Sequence, residues 1–299
     1  MKSLKKRYAV FIPCYNASAT IHETIQSVYE AIRFLGNPVP VYIYDDCSKD
    51  GSYALVETSI KELTGFNLLK NEQNSGERKT TNKAFRNFHE QYDWAFIIHA
   101  DDIVKKDWLK VLIEHIEKEN DPQCFTVWSS YDSFYDKTKE VVEGDNSGAV
   151  LYETNQLNEI RAILRKMYCS WHISGAAINV DLYNKLGGFE DTLAQFGDTD
   201  FFARGMLAGY KHMYISRTLT LYRILQGSVS SVSANTNRDI NEIQFLINKH
   251  KNILSKQDIS ALYKIVRRLS LRRMVKGLFN RNLPLALHSF KQFNKTILK

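Results

Sequence analysis

Two hydrophobic rhythms alternate along the first hundred residues. Tyr8-Ala-Val-Phe-Ile12 is a continuous apolar run of the kind that forms a strand covered on both faces. Ile21, Ile25, Val28, Ile32 and Leu35 then recur at helical spacing and predict a helix with one buried face. Gly36-Asn-Pro38 ends it, and Val39 to Tyr44 predicts a second strand. A helix carrying Ala54, Leu55, Ile60 and Leu63, a strand over Asn67 to Lys70, a helix from Thr81 to Glu90 and a strand from Trp94 to Ile98 follow. Strands alternating with helices through short loops predict an α/β fold: a mostly parallel sheet flanked by helices, with right-handed crossovers.

The second half is less regular. Phe125 to Tyr135 predicts a strand and Asn158 to Met167 a helix. Glycine-rich stretches follow at Ser174-Gly-Ala-Ala177 and Gly187-Gly-Phe189, then a helix opening at Gly197-Asp198-Thr-Asp200 and a strand over Leu219 to Ile224. From about Asp239 the pattern is helical and increasingly basic. The reading is a main domain over 1–237, with halves of about 1–104 and 105–237, and a basic helical extension over 238–299.

Charge sharpens that division. Residues 249–299 carry thirteen Lys or Arg against one acid, Asp258, a net +12, so residues 1–248 carry −5 of the chain's +7. An acidic body with a cationic tail argues against a specific nucleic-acid reader, whose basic face is its working face. Apolar residues interleaved with Lys264, Arg267, Arg268, Arg272, Arg273 and Lys276 predict helices that either lie on an anionic membrane surface or dock on the body. No apolar run reaches the length of a membrane span, and the run behind the basic start stops at Pro13, which predicts a cytoplasmic chain. Cys14, Cys47, Cys124 and Cys169 have no metal-site spacing and read as reduced thiols.

Candidate chemistry gathers where strands end. Pro13-Cys-Tyr-Asn16, Asp45-Asp-Cys-Ser48 and His99-Ala-Asp-Asp102 each follow a predicted strand, and the carboxyl ends of parallel strands share one edge, so the three loops should line one cleft. Adjacent carboxylates beside a core make sense if a cation joins them. The plainer reading of Asp101-Asp102 is a solvated loop with an Asp capping a helix before Trp108.

Taken together, the segments resemble the family 2 glycosyltransferases, inverting enzymes with the GT-A fold. The resemblance runs from Tyr8 to about Ser230 on five ordered motifs. Phe11-Ile-Pro13-Cys-Tyr15-Asn16 is similar to the opening strand and turn that pack on the nucleotide base; an aromatic face at a strand end suits stacking, and the plainer reading is a Tyr that caps the core. Tyr44-Asp-Asp46-Cys-Ser-Lys-Asp-Gly-Ser52 is similar to a motif in which Asp46 would accept the base N–H, while Ser48 and Asp50 serve mainly as helix caps. In Asn74-Ser-Gly76-Glu-Arg-Lys79-Thr-Thr-Asn82 the family's Arg is Thr81, which leaves Arg78 or Lys79 to face a diphosphate. His99-Ala100-Asp101 stands where the family has Asp-x-Asp, implying a divalent metal, Mn²⁺ or Mg²⁺, on Asp101 with His99 as a further ligand, a phosphate contact or a plain core residue. Gly187-Gly-Phe-Glu190 and Gly197-Asp198-Thr-Asp200 resemble the segment holding the catalytic base, which falls on Asp198 and makes Asp200 a structural partner of Arg204. Gly197 and Leu225 replace the family's Glu and His, the latter in Tyr222-Arg-Ile-Leu-Gln-Gly-Ser228-Val-Ser230.

The resemblance implies transfer from a nucleotide-sugar donor, UDP- or dTDP-linked, to a glycan or lipid-linked acceptor in polysaccharide or lipopolysaccharide synthesis. A non-catalytic sugar-nucleotide-binding subunit fits the three departures. A nucleotidyltransferase would need a Gly- and Arg-rich triphosphate loop, which Pro13-Cys-Tyr-Asn16 is not. Residues from Tyr131 to Leu151 and from Trp171 to Ala177 are the stretches expected to shape sugar pockets.

Overall fold

In the computed structural model, which describes residues 5–135, 141–142, 149–152, 157–167, 171–225 and 236–297, the predicted alternation forms as β1 (Tyr8–Cys14), α1 (Ile21–Leu35), β2 (Val41–Asp45), α2 (Ser52–Ile60), β3 (Phe66–Lys70), α3 (Glu77–Phe88) and β4 (Trp94–Ile97). β1 is buried along its whole length, as a strand covered on both faces must be. α1 buries Ile21, Ile25 and Val28, and Gly36, at φ 72° in the left-handed region, closes it by donating its N–H to Ile32 O. α3 begins four residues before the predicted Thr81. Its first turn, Glu-Arg-Lys-Thr, is polar and so shows no apolar periodicity, and Gly76 at φ 88° sets where the helix starts.

The chain continues through β5 (Ile103–Val104), α4 (Trp108–Glu119), β6 (Cys124–Tyr135), β7 (Val141–Val142), β8 (Ala149–Tyr152), α5 (Leu157–Lys166), β9 (Ala177–Asn179), α6 (Val180–Leu186), α7 (Gly197–Leu207), β10 (Lys211–Ile224), α8 (Arg238–Lys249), α9 (Lys256–Phe279) and α10 (Leu283–Ile297). One sheet of ten strands forms among the described residues, in the order β3-β2-β1-β4-β9-β6-β10-β5, with β7 on β6 and β8 on β10. The β3-β2-β1-β4 side is parallel throughout, whereas β9 is antiparallel to both its neighbours, and β5, β7 and β8 also pair antiparallel. β10 extends eight residues upstream of the predicted Leu219 and runs parallel to β6 with register shifts at Ile215/Thr218 and Thr218/Thr220.

Two compact units result. The first, Met1–Thr154, Trp171–Phe189 and Ala208–Ile224, holds the sheet. Its core contains Val10, Ile12, Phe96, Trp108 and Leu112. The chain passes from β1 to β2 on one side and reaches β4 on the other, so the switch point for ligand binding lies between the carboxyl ends of β1 and β4.

The second unit, Asn155–Ser170, Glu190–Leu207 and Leu225–Lys299, is helical, and the basic C-terminal helices share it with α5 and α7. α8 buries Ile240, Ile243, Leu246 and Ile247. α9 opens on a capping box in which Ser255 and Asp258 exchange hydrogen bonds, which uses the one acid of residues 249–299. Among the described residues no helix is long and apolar enough to cross a membrane.

Candidate active site

The loop after β4 is held from three directions. Thr20 and Thr24, at the start of α1, donate their hydroxyls to Ala100 O at 2.9 Å and Asp102 O at 2.8 Å. From the end of β10, Arg223 donates its backbone N–H to Asp102 Oδ1 at 2.9 Å and its Nε–H to Asp101 O at 2.7 Å, and its guanidinium pairs with Glu23. Below the loop, His99 N–H reaches Ser174 Oγ at 3.0 Å, and Trp108 Nε1 donates to Gly175 O at 2.8 Å. Gly175, at φ 90°, lies so close to β10 that a Cβ would sit 2.1 Å from Thr220 Oγ1. The glycine-rich Ser174 segment is therefore a support for this loop.

His99, Asp101 and Asp102 each bring a ligand atom into one cluster in which these atoms lie within 4.8 Å of one another. Oxygens around one divalent ion at about 2.0–2.6 Å are separated by at most ~5 Å, so the cluster fits a metal with small adjustment. Asp102 is fully buried and its Oδ2 accepts no hydrogen bond, a costly state for a carboxylate oxygen unless a cation completes it. Burial and the neighbouring Asp102 charge push the Asp101 carboxyl up to about 6. Burial alone would lower His99, but Glu77, 3.4 Å away, outweighs it together with Asp102 and Asp101 and raises the imidazole to about 9. Arg78 and the same His99 pairing together overcome burial and lower Glu77. The sequence named Asp101 and His99; the structure brings Asp102 into the same cluster, with Glu77 beside His99 and Arg223 on the two Asp residues.

The other candidates are tied into the same edge, several by the chain itself. Asn16, at φ 48°, donates its N–H to Ser48 Oγ and accepts Lys49 N–H on Oδ1, both at 2.9 Å, which joins the loops after β1 and β2. Ser48 thus braces Asn16 instead of capping α2. Asp50 does serve the start of α2, accepting Ser52 N–H at 3.0 Å, and also holds Ser18 N–H at 2.9 Å. Pro13 lies inside β1, and Tyr15 beyond it is 46% exposed, open for stacking.

Asp46 Oδ1 accepts Asn71 Nδ2, Ser75 N and Ser75 Oγ, and Oδ2 accepts Gly76 N at 2.7 Å. Burial opposes the charge, but these bonds hold the carboxyl below its ordinary range. Asp46 therefore fixes the loop that leads into α3. Asn82 Nδ2 donates to Phe189 O, while Oδ1 accepts Phe189 N and Tyr183 OH. A Cβ on Gly188 would lie 2.3 Å from Asn82 Oδ1, which explains that glycine. Thr81 is buried and bonds Glu77 O at 2.8 Å. Of the two cations weighed for its place, Arg78 lies 3.3 Å from Glu77 and 4.6 Å over the Phe189 ring, whereas Lys79 is exposed.

Asp198, half-buried, stands in the first turn of α7 in the helical unit. Buried Glu242 of α8 accepts the N–H groups of Ala194, Gln195 and Phe196 just before that turn, at 3.0, 2.8 and 2.9 Å. Asp200 pairs with Arg204 at 2.8 Å, as the spacing predicts, and with Lys249 Nζ and His250 Nε2 at 3.0 Å each. Burial opposes its charge, yet these partners hold it at about 2. Cys169 and Ser228 to Ser230 lie outside the described residues, as does much of the predicted Tyr131 to Leu151 pocket stretch; among the described residues Cys14, Cys47 and Cys124 are free thiols.

Comparison with known proteins places this geometry. The putative teichuronic acid biosynthesis glycosyltransferase TuaG of Bacillus subtilis (strain 168) is 29% identical over 129 residues, 43% of this chain, and the match spans about half, 49%, of that relative's length. The crystal structure of S. aureus TarS 1–349 superposes with a TM-score of 0.60 at 14% identity, covering 97% of this chain and 91% of that one. The mannosyltransferase PcManGT from Pyrobaculum calidifontis, in complex with GDP-Man and Mn²⁺, gives 0.60 at 17% identity over 98% and 84% of the two chains. At such identities these two likenesses establish the fold, that of the GT-A type. Residues 9–175, more than half of the chain, match the sequence profile of glycosyl transferase family 2, and the protein belongs to that family.

Proposed function

We propose that the protein is an inverting glycosyltransferase that moves a sugar from a nucleoside diphosphate, UDP or dTDP, to a hydroxyl of a glycan or lipid-linked acceptor in cell-surface polysaccharide synthesis. The observation that carries this is the His99, Asp101 and Asp102 cluster at the end of β4, with an orphaned buried carboxylate oxygen, at a parallel-sheet switch point. The comparisons support the substrate class: a TarS structure is described in complex with UDP-GlcNAc, and TuaG is named for teichuronic acid biosynthesis.

Asp101 and Asp102, with His99 once it gives up the proton that Glu77 favours, would hold a divalent ion, which when bound offsets the charge that develops on the leaving diphosphate. Mn²⁺ suits a site that includes an imidazole better than Mg²⁺ does. Tyr15 offers its exposed ring to the base, and Asp46 fixes the loop beside it. Arg78 supplies the cation that Thr81 does not. Asp198 takes the proton of the acceptor hydroxyl as that oxygen bonds the anomeric carbon, while the carbon–diphosphate bond breaks on the opposite face. The proposed location is the cytoplasm, at the inner face of the membrane.

The test is thermal shift with UDP-, dTDP- and GDP-sugars, with and without Mn²⁺, followed by donor turnover. A true donor at a hundred times its dissociation constant adds about 2.7 kcal/mol, and Mn²⁺ should strengthen the effect. Stabilisation by no nucleotide sugar under either condition overturns the reading. Stabilisation without turnover on any acceptor favours the second reading, a sugar-nucleotide-binding subunit, which buried Thr81 and Gly197 in place of basic and acidic family residues support.

A further inference from the structure

The hairpin of α9 and α10 has an inner and an outer face of opposite character. Inside, Gly277 seats directly on the next helix: a Cβ there would lie 2.8 Å from Ala286 N. Buried Arg273 pairs with Asp239, Ser289 bonds Asn237 at 2.9 Å, and Gln292 bonds Asn241 at 2.8 Å. These contacts turn one side of both helices toward the start of α8. On the outside, Leu271, Val275 and Leu278 recur at i, i+4 and i+7 on α9 and are 45%, 55% and 57% exposed. Leu283, Leu287 and Phe290 repeat that spacing on α10 at 60%, 60% and 48%, and Phe279 at the turn is 90% exposed. At about 100° per residue, both stripes fall opposite the contacts with α8.

Two aligned apolar stripes in water call for a partner. Exposed Arg268, Arg272, Arg281 and Lys291 stand among them, and the one acid of residues 249–299, Asp258, is consumed in the α9 cap. A second copy of the chain would set one +12 segment against another. A soluble polyanion would satisfy the cations and leave the leucines and phenylalanines in water. An anionic bilayer takes both, apolar side chains into the acyl boundary and Arg or Lys at the headgroups. We propose that the outer face of the α9–α10 hairpin seats the protein on anionic lipid. This inference does not depend on the transferase reading, since it needs no donor.

The experiment is co-sedimentation of the full chain with vesicles of phosphatidylglycerol and phosphatidylcholine, or of phosphatidylcholine alone, at low and high salt. Binding is expected to the anionic vesicles and to be released by salt. Each basic residue near such a surface is worth about fivefold, so Arg268→Gln/Arg272→Gln/Arg281→Gln should weaken binding about 100-fold. Phe279→Ser/Leu283→Ser, at exposed positions that leave the fold alone, should weaken it at least ~tenfold. The proposal falls if the chain ignores anionic vesicles at low salt, or if the Phe279/Leu283 variant binds as well as the parent, which would leave charge alone. It also falls if light scattering finds a dimer that this variant dissolves, which would make a second copy the occupant.

Discussion

Replacing Glu242 by Ala tests how the helical unit holds Asp198. The Glu242 carboxylate is 4% exposed and accepts three successive backbone N–H groups, one on Oε1 and two on Oε2. Bonds to a charged acceptor are worth about 1.5–3 kcal/mol each when their donors are left unpaired. Ala194, Gln195 and Phe196 are half-buried, so water recovers part of that, and a net loss of about 3 kcal/mol in local stability is expected. Hydrogen–deuterium exchange of these amides should then accelerate by about a hundredfold, because each 1.4 kcal/mol is a factor of ten. Glu242→Gln keeps one carbonyl acceptor and should fall between parent and Ala. Phe196 is two residues before Asp198, so a loosened turn should lower kcat while leaving donor KM unchanged. Unaltered protection of residues 194–196 in the Ala variant would refute the clamp. A fall in kcat without faster exchange would refute its link to Asp198.

Asp101→Ala and Asp102→Ala should each abolish Mn²⁺ binding followed by electron paramagnetic resonance, and full binding by the Asp102 variant would dissolve the three-residue cluster. Asp198→Asn should reduce kcat by about 10²–10⁴ while donor affinity stays within twofold, since the amide keeps the shape but accepts no proton; equal loss of affinity would remove it from the base role. For Asp46→Ala, the four bonds into Asn71, Ser75 and Gly76 vanish, so proteolysis should cut that loop faster and nucleotide affinity should drop; an uncut loop with normal affinity would contradict both roles. Asp200, held at about 2 against an ordinary 3.8, adds stability that is complete above pH ~4 and lost as pH falls through 2. Unfolding free energies from denaturant titrations between pH 5 and 2 should fall by about 2 kcal/mol more in the parent than in Asp200→Asn, and parallel curves would show that its ion pairs carry no such stability.

Much of this protein was legible one element at a time. The apolar run of β1 and the 21-25-28-32 spacing of α1 are local patterns, and local patterns fix strand and helix before any tertiary contact exists. Parallel crossovers then force the ends of β1, β2 and β4 onto one edge, so the three polar loops could be grouped from their order alone. What tertiary structure decided is everything that pairs residues far apart in sequence. β5 and β9, two and three residues long, have no period of their own and exist because β10, β4 and β6 offer them hydrogen bonds. Of the two carboxylates, the motif places the metal on Asp101 alone; Arg223, 121 residues from Asp102, fixes one Asp102 oxygen and leaves the other bare in the cluster. Asn82 matched its motif, yet its amide is engaged by Phe189, 107 residues on. Glu242 carried no signal at all, because three backbone N–H groups that need an acceptor belong to every residue alike, and only the folded chain shows which three are left to a buried carboxylate.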